Sequence, residues 1–335
     1  MSPSNTKVRV MTGARVSGAL HIGHYFGVTR NMVSFQDEYD CFYGVMDWHG
    51  MTTSYRESHK IDLWIRDMLS EWVAWGIDPE KATVFVQSQV PEVLELNMIF
   101  ANLTPLGWLE RVPTWKDAVE DAKKNDTHNL GRFGYPVLQA ADIAIFQGER
   151  VPIGKDQAPH LELSREIIRR FNGVYKGKFP EPKPIFTETP MILGLDNRKM
   201  STSYGNTIEL SQEPKAVERA VKKMITDPQR VTREDKGDPE VCNVYSFHKL
   251  VSSKEEQAWV REGCTTAGIG CGDCKMKLAC NINNLFEEPR EKKKKILADR
   301  VQMDRLIKEG SEKAREVAQK TLRSVRDAMK FHGGL

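Results

Sequence analysis

Residues 7–24 read Lys-Val-Arg-Val-Met-Thr-Gly-Ala-Arg-Val-Ser-Gly-Ala-Leu-His-Ile-Gly-His, and this stretch decides the fold. Lys7 to Gly13 is a valine-rich run ended by glycine, which predicts a strand leading into a turn. Ser17 and Gly18 carry the turn on. From about His21 to Gln36 the apolar residues Ile22, Phe26, Met32 and Val33 take helical spacing. A strand, a glycine-rich turn and a helix in that order aim backbone amides at one spot, where an anion is held by N–H donors and the helix dipole. Glycine lets a nucleotide come close to the backbone. His21 and His24 lie three apart and share a helix face, so their imidazoles can donate to phosphate oxygens as charge develops. A metal-binding pair, or two incidental histidines in a turn, fits the same spacing.

Outward from this stretch the pattern repeats. Cys41 to Met46 reads as a second, buried strand. Asp62 to Trp75 reads as a helix with Leu63, Met68, Leu69, Trp72 and Val73 near one face, and Thr83 to Gln87 as a third strand. Strands alternating with helices predict an α/β fold with a parallel sheet. The pattern runs to about Ser211, with Pro180, Pro182, Pro184 and Pro190 marking a turn-rich connection. From Gln212 the character changes. Lys215 to Ile225 and Asp299 to Met329 have helical spacing, and between them lies a cysteine- and glycine-rich segment, 242–280. The division expected is a catalytic domain at 1–211 and a smaller helical domain at 212–335. The latter carries a metal-binding insert, and its last helix is placed to pack back on the first domain. Lys292 to Lys295 is read as a solvated helix face.

Composition sets outer limits. The chain has 335 residues, 40% hydrophobic and 28% charged, which is ordinary for a globular protein and excludes a wholly disordered or collagen-like one. No apolar run approaches the ~20 residues that span a bilayer. The polar start, Met1 to Lys7, lacks the apolar core of a secretory signal, so a cytoplasmic protein with reduced cysteines is expected. A net charge of +3 permits local basic patches and no more.

A second informative segment is Arg198-Lys-Met-Ser-Thr-Ser203, a basic and hydroxyl-rich loop suited to closing on phosphate. His21-Ile-Gly-His24 and Lys199-Met-Ser-Thr-Ser203 together resemble the paired signatures of class I aminoacyl-tRNA synthetases. Asp47-Trp-His49, Tyr135-Pro-Val-Leu-Gln-Ala-Ala-Asp142 and Gly154-Lys-Asp-Gln157 narrow the resemblance to the tryptophanyl-tRNA synthetase family, over nearly the whole chain. The tyrosyl branch is the runner-up.

The resemblance implies a Rossmann-type catalytic domain, an all-helical anticodon-binding domain, a homodimer, ATP with Mg²⁺, L-tryptophan and tRNA(Trp). It also implies roles. His21, His24, Lys199, Ser201 and Ser203 would be catalytic. Arg15, Val16 and Ser17 would line the ATP site, with Gly23 and His24 under adenosine and ribose. Gly154, Lys155 and Asp156 would form a ribose-contacting turn. The backbone of Met191 or Ile192 would meet adenine, and Lys199, Met200, Ser201, Thr202 and Ser203 would hold pyrophosphate. Asp142, Tyr135, Gln157 and His49 would bind tryptophan. Asp142 is the selector, because indole has one N–H and no acceptor, and a buried carboxylate accepts that donor. On position alone, a helix-face carboxylate paired with an arginine fits equally well. Two residues depart from the family: Thr202 stands where a second lysine is usual, and Lys155 replaces an acidic residue. Arg198 is the first candidate to substitute for the missing lysine.

Cys242, Cys264, Cys271 and Cys274 have spacings x21, x6 and x2, with Gly268, Gly270 and Gly272 between or beside them. Four reduced thiols at such spacing point to a four-thiolate site, and spacing cannot separate Zn²⁺ from an iron–sulfur cluster. A branch of the family with a closely similar pattern holds a 4Fe–4S cluster, so the resemblance favours iron–sulfur. Cys280 is a rival ligand, and Cys41 a core residue. Two other functions compete: a nucleotidyltransferase without tRNA, against which the helical domain argues, and a catalytically idle paralogue, for which Thr202 argues.

Overall fold

Val10 and Met11 face opposite ways and both are buried, and the same alternation recurs at Tyr43 against Phe42 and at Val84 against Phe85. Strands buried on both faces belong inside a parallel sheet covered by helices on each side. The computed structural model describes residues 7–113, 115, 128–187 and 192–331, with the side chains of Asp156 and Ser203 outside the description. Its five strands are β1 (Arg9–Arg15), β2 (Asp40–Met46), β3 (Ala82–Val86), β4 (Arg150–Ile153) and β5 (Lys183–Phe186). They form one sheet in the order β3-β2-β1-β4-β5, every pair parallel. The order reverses between β1 and β4, and ligands of such sheets bind at that switch, beyond the carboxyl ends of the strands.

The expected helix His21–Gln36 is present in pieces: α1 (Ile22–His24), a π-helical turn (Tyr25–Thr29) and α2 (Arg30–Phe35). Next come α3 (Asp47–Ser54), α4 (Ile61–Ala74), α5 (Glu92–Leu103), α6 (Leu106–Glu110), α7 (Leu130–Ile145) and α8 (Ala158–Tyr175). Five more helices follow among the described residues: α9 (Pro214–Lys222), α10 (Asn243–Val251), α11 (Lys254–Thr265), α12 (Cys271–Ala298) and α13 (Arg300–Met329). The parallel sheet with a helical C-terminal region is the fold class the residues predict.

One face of the sheet shares a core with α4, α9, α10 and α12, where Trp75 meets Phe286 edge-on at 5.6 Å. The other face packs on α5, α7 and α8, and α13 returns to it. Helix α13 lies along edge strand β3, with Ser311 Oγ accepting from the Val86 amide at 3.2 Å. This covers an edge that would otherwise present unpaired backbone groups. Arg326 clamps Glu95 of α5 with two bonds of 2.7 and 2.6 Å.

One segment left open by the sequence gains its form here, and one expectation changes. The cysteine-rich segment is helical: the Cys271-x-x-Cys274 hook opens α12, whose 28 residues run unbroken past Cys280. The lysine run is not wholly solvated. Lys293 is buried and its ammonium lies 2.8 Å from the buried Glu71 carboxylate, because α12 lays this one residue of the four against α4. Its neighbours Lys292 and Lys294 are exposed, as a solvated face requires.

Candidate active site

The loops that leave the carboxyl ends of the strands gather the candidate residues. Arg15 ends β1, and Val16 and Ser17 follow it, with the Val16 amide bonded to the Met46 carbonyl at 3.3 Å. Gly18 has φ +111°, a conformation that only glycine adopts without strain, and it turns the chain towards His21. The His21 amide donates to His24 Nδ1 at 3.1 Å and the two rings stack at 3.7 Å. Burial and then the neighbouring ring hold His21 down to about 3, and burial holds His24 down to about 4. Both imidazoles are therefore neutral near pH 7, so they offer N–H donors and no charge.

The 199–203 loop faces this turn. Thr202 Cγ2 stands 3.9 Å from where a Cβ on Gly18 would be, and Met200 Sδ 3.5 Å from the same point on Gly23. Backbone bonds from Ile22 to Ile208 (2.9 Å) and from Leu210 to Leu20 (3.0 Å) tie the two segments together. Asn206 braces the loop by accepting from the Ser201 amide at 2.9 Å and donating to the Lys199 carbonyl at 3.2 Å. The exposed Lys199 ammonium makes no ion pair among the described residues. The Arg198 guanidinium bonds Asp196 at 2.7 Å and lies 4.7 Å over the Tyr204 ring. Sequence proximity explains this, since Asp196 is only two residues away. Met191 lies outside the described residues. Ile192 lies beside the Leu193–Lys199 bridge at the base of the loop.

Asp142 lies in α7 with 3% of its surface exposed. Its Oδ2 is 2.8 Å from His49 Nε2, on α3, and its Oδ1 accepts from Gln87 Nε2 at 2.7 Å. No arginine pairs with it among the described residues, so the salt-bridged helix-face alternative does not hold. Each oxygen keeps a second acceptor site. Gln87, which the sequence reading passed over as a strand end, is fully buried directly after β3. Its position at a strand's carboxyl end was the available signal. Tyr135, about two turns before Asp142 on α7, bonds His160 Nε2 at 2.6 Å. Gly154 and Lys155 follow β4, and Gln157 closes that turn by bonding its amide to the Gly154 carbonyl at 3.0 Å. Arg15 bonds Thr53 Oγ1 at 2.9 Å, and Arg132 of α7 is near enough to depress its pKa further after burial. The carboxyl ends of the strands thus carry a buried carboxylate held by His49 and Gln87 and, at the glycine turn after β1, two neutral imidazoles faced by a lysine-bearing loop.

The second cluster lies among the C-terminal helices. Cys242 caps α10, Cys264 sits in the last turn of α11, and Cys271 and Cys274 occupy the first turn of α12. Burial, and then Cys242, Cys264 and Cys271, push the Cys274 thiol up to about 12, so the four share one neighbourhood. They do not close into a tight metal-holding set: among the described residues no three His, Cys, Asp or Glu side chains do. Cys280 is exposed and Cys41 buried in β2. No helix is long and apolar enough to cross a membrane among the described residues.

Comparison with known proteins agrees with this geometry. Residues 3–287 match the family described as tRNA synthetases class I (W and Y). A tryptophan--tRNA ligase of Thermotoga maritima is 47% identical over 324 residues, covering 96% of this chain and 99% of the relative. One from Aquifex aeolicus is 39% identical, covering 96% and 99%. The crystal structure of tryptophanyl-tRNA synthetase from Campylobacter jejuni, complexed with ADP and tryptophan, superposes with a TM-score of 0.88. That protein is 34% identical, and the match covers 96% of this chain and 100% of that one.

Proposed function

The chain belongs to the class I tRNA synthetases of the tryptophan and tyrosine type, and we propose that this tryptophan--tRNA ligase selects its amino acid through Asp142. The carrying observation is the buried Asp142 carboxylate, fixed from both sides by His49 and Gln87. Held this way it cannot turn away from the pocket, and it accepts the indole N–H. A phenyl side chain would leave it without that donor, at a cost of about 1–3 kcal/mol. Tyr135, through its hydroxyl, and Gln157 hold the substrate's α-amino end.

The enzyme is an aminoacyl-tRNA ligase working in two steps. The tryptophan carboxylate oxygen attacks the α-phosphorus of ATP, and the bond to the β-phosphate oxygen breaks, giving tryptophanyl-adenylate and pyrophosphate. A hydroxyl of the terminal tRNA ribose then attacks the activated carbonyl and AMP leaves. Catalysis is positioning and electrostatic stabilisation. Arg15, the Val16 backbone and Ser17 line the polyphosphate channel. Gly23 and His24 lie under the nucleoside, and Gly154 to Asp156 meet the ribose. The backbone near Met191 and Ile192 meets adenine. His21 and His24 donate from neutral rings. Lys199, Met200, Ser201, Thr202 and Ser203 close over pyrophosphate, with Lys199 as the cation of that loop. ATP enters as its magnesium complex. The protein works in the cytoplasm as a homodimer, and the helices after Gln212 receive the tRNA(Trp) anticodon.

We infer that the thiols of Cys242, Cys264, Cys271 and Cys274 hold a 4Fe–4S cluster: four cysteines at three neighbouring helix ends are a donor set whose chemistry suits iron, and one group would tie the three helices together. Bound there, it would supply a structural link, since metal-binding energy becomes folding energy. Two measurements test the reading. Charging of tRNA(Trp) with tryptophan but not tyrosine supports the ligase assignment, and equal charging with tyrosine overturns it. About four iron and four sulfide per chain supports the cluster, and one zinc without iron overturns it.

A further inference from the structure

Arg230 is a buried cation aimed at a cysteine sulfur. Its side chain is 8% exposed. Nη1 points at Cys264 Sγ at 3.9 Å, and Nη2 donates to the carbonyls of Ile269 at 2.6 Å and Arg233 at 3.1 Å. Nε has no hydrogen-bond partner, and no carboxylate lies within ion-pair distance of the guanidinium among the described residues. After the hydrogen bonds from Thr232, the Arg230 charge helps hold the Asp235 carboxyl below the usual range, while its Nη1 is turned to the Cys264 sulfur. The Ile269 carbonyl places Arg230 inside the loop that joins Cys264 to Cys271.

A second donor addresses another of the four sulfurs. His248 is fully buried, with Nε2 3.2 Å from the Cys274 carbonyl and 3.5 Å from its Sγ. Behind it Asn281 donates to Ser252 Oγ at 2.8 Å, and Ser252 Oγ lies 2.7 Å from His248 Nδ1. With Ser252 donating to Nδ1, the ring carries its proton on Nε2, facing Cys274. Two of the four sulfurs thus have a donor built behind them, as outer-shell partners of metal-bound ligands commonly are.

We propose that Arg230 is the counter-charge of the four-cysteine site, a positioning residue that neutralises part of the thiolate charge and sets the reduction potential of the group held there. This rests on the cluster reading above. A cluster on four thiolates carries net negative charge, and reduction adds another. A fixed positive charge beside one ligand stabilises the reduced form, and hydrogen bonds and net charge are what tune such potentials.

The test compares the anaerobically prepared wild type with Arg230→Gln and Arg230→Lys, reading iron, sulfide and the midpoint potential by dye-coupled titration. Tryptophan-dependent pyrophosphate exchange reports that the fold is intact. Removing the charge in Arg230→Gln should shift the one-electron equilibrium at least tenfold towards the oxidised form, about 59 mV more negative. Arg230→Lys should stay near the wild-type value. Equal potentials for all three overturn the proposal while leaving the cluster standing, and so do equal shifts in both variants. If Arg230→Gln holds no iron, full iron in Arg230→Lys supports the charge and equal loss in both overturns it. A wild type without iron overturns the cluster reading, and the proposal falls with it.

Discussion

Gln87 Nε2 donates to Asp142 Oδ1 at 2.7 Å, and both side chains are buried. One amide from the end of β3 thus fixes a carboxylate that α7 brings in from 55 residues further along the chain. Gln87→Leu would leave that oxygen without its donor in a dry site. Tryptophan activation should fall by about 1–3 kcal/mol in kcat/KM, read by pyrophosphate exchange. An unchanged value would mean that Gln87 only fills space.

Thr202 Cγ2 stands 3.9 Å from the Cβ position of Gly18, against the glycine turn after β1. With Arg198 paired to Asp196, Lys199 is the cation of this loop without an ion pair among the described residues. Thr202→Lys should raise kcat/KM for ATP about tenfold, since an added cation meets developing negative charge, worth about 1.4 kcal/mol. A fall measured in the same exchange assay would show that the loop is built around the threonine.

His21 and His24 are held at about 3 and 4, below their unfolded values near 6.5. A base whose folded pKa is depressed contributes stability that is complete above the unfolded value and lost as pH falls below it. Between pH 6.5 and 4 these two rings should therefore destabilise the protein, by about 1–2 kcal/mol each at pH 5. Denaturant unfolding of His21→Gln and His24→Asn should show a flatter pH dependence over that window. Wild-type slopes in both variants would contradict this.

A Cβ on Gly310 would overlap the Val84 carbonyl oxygen, where α13 presses on β3. Gly310→Ala should cost about 3 kcal/mol by overpacking. Gly173→Ala is the control, because nothing lies within 4 Å of its Cβ position in α8. That change should be neutral or stabilising by up to ~1 kcal/mol. Thermal melts of the two variants read the difference, and equal melting temperatures would show that α13 does not press on the strand there.

Three of the five strands were legible because they are marked locally; β4 was not read as a strand, and β5 (Lys183–Phe186) holds Pro184 inside a stretch that reads as a turn-rich connection. Lys7 to Gly13, Cys41 to Met46 and Thr83 to Gln87 each carry apolar runs bounded by turn residues, and the helices between them leave only a parallel arrangement. Asp142 was legible only through its family motif, since nothing in its neighbours on α7 says that His49 and Gln87 will reach it. Gln87 and Lys293 were not legible. Each owes its role to a residue far away in sequence, Asp142 for one and Glu71 for the other, and periodicity carries no record of such partners. The form of 271–298 was left open by a start rich in glycine and cysteine; Gly270 caps the helix that Cys271 opens.

The most direct test is amino-acid-dependent pyrophosphate exchange by the wild type and Asp142→Asn, with L-tryptophan and L-tyrosine compared under identical conditions. Exchange should depend on tryptophan in the wild type, and Asp142→Asn should lose about 1–3 kcal/mol of that activity because its amide can turn a donor towards the indole N–H. Exchange in the variant equal to wild type, or tyrosine serving the wild type as well as tryptophan, would contradict Asp142 as the residue that reads the substrate.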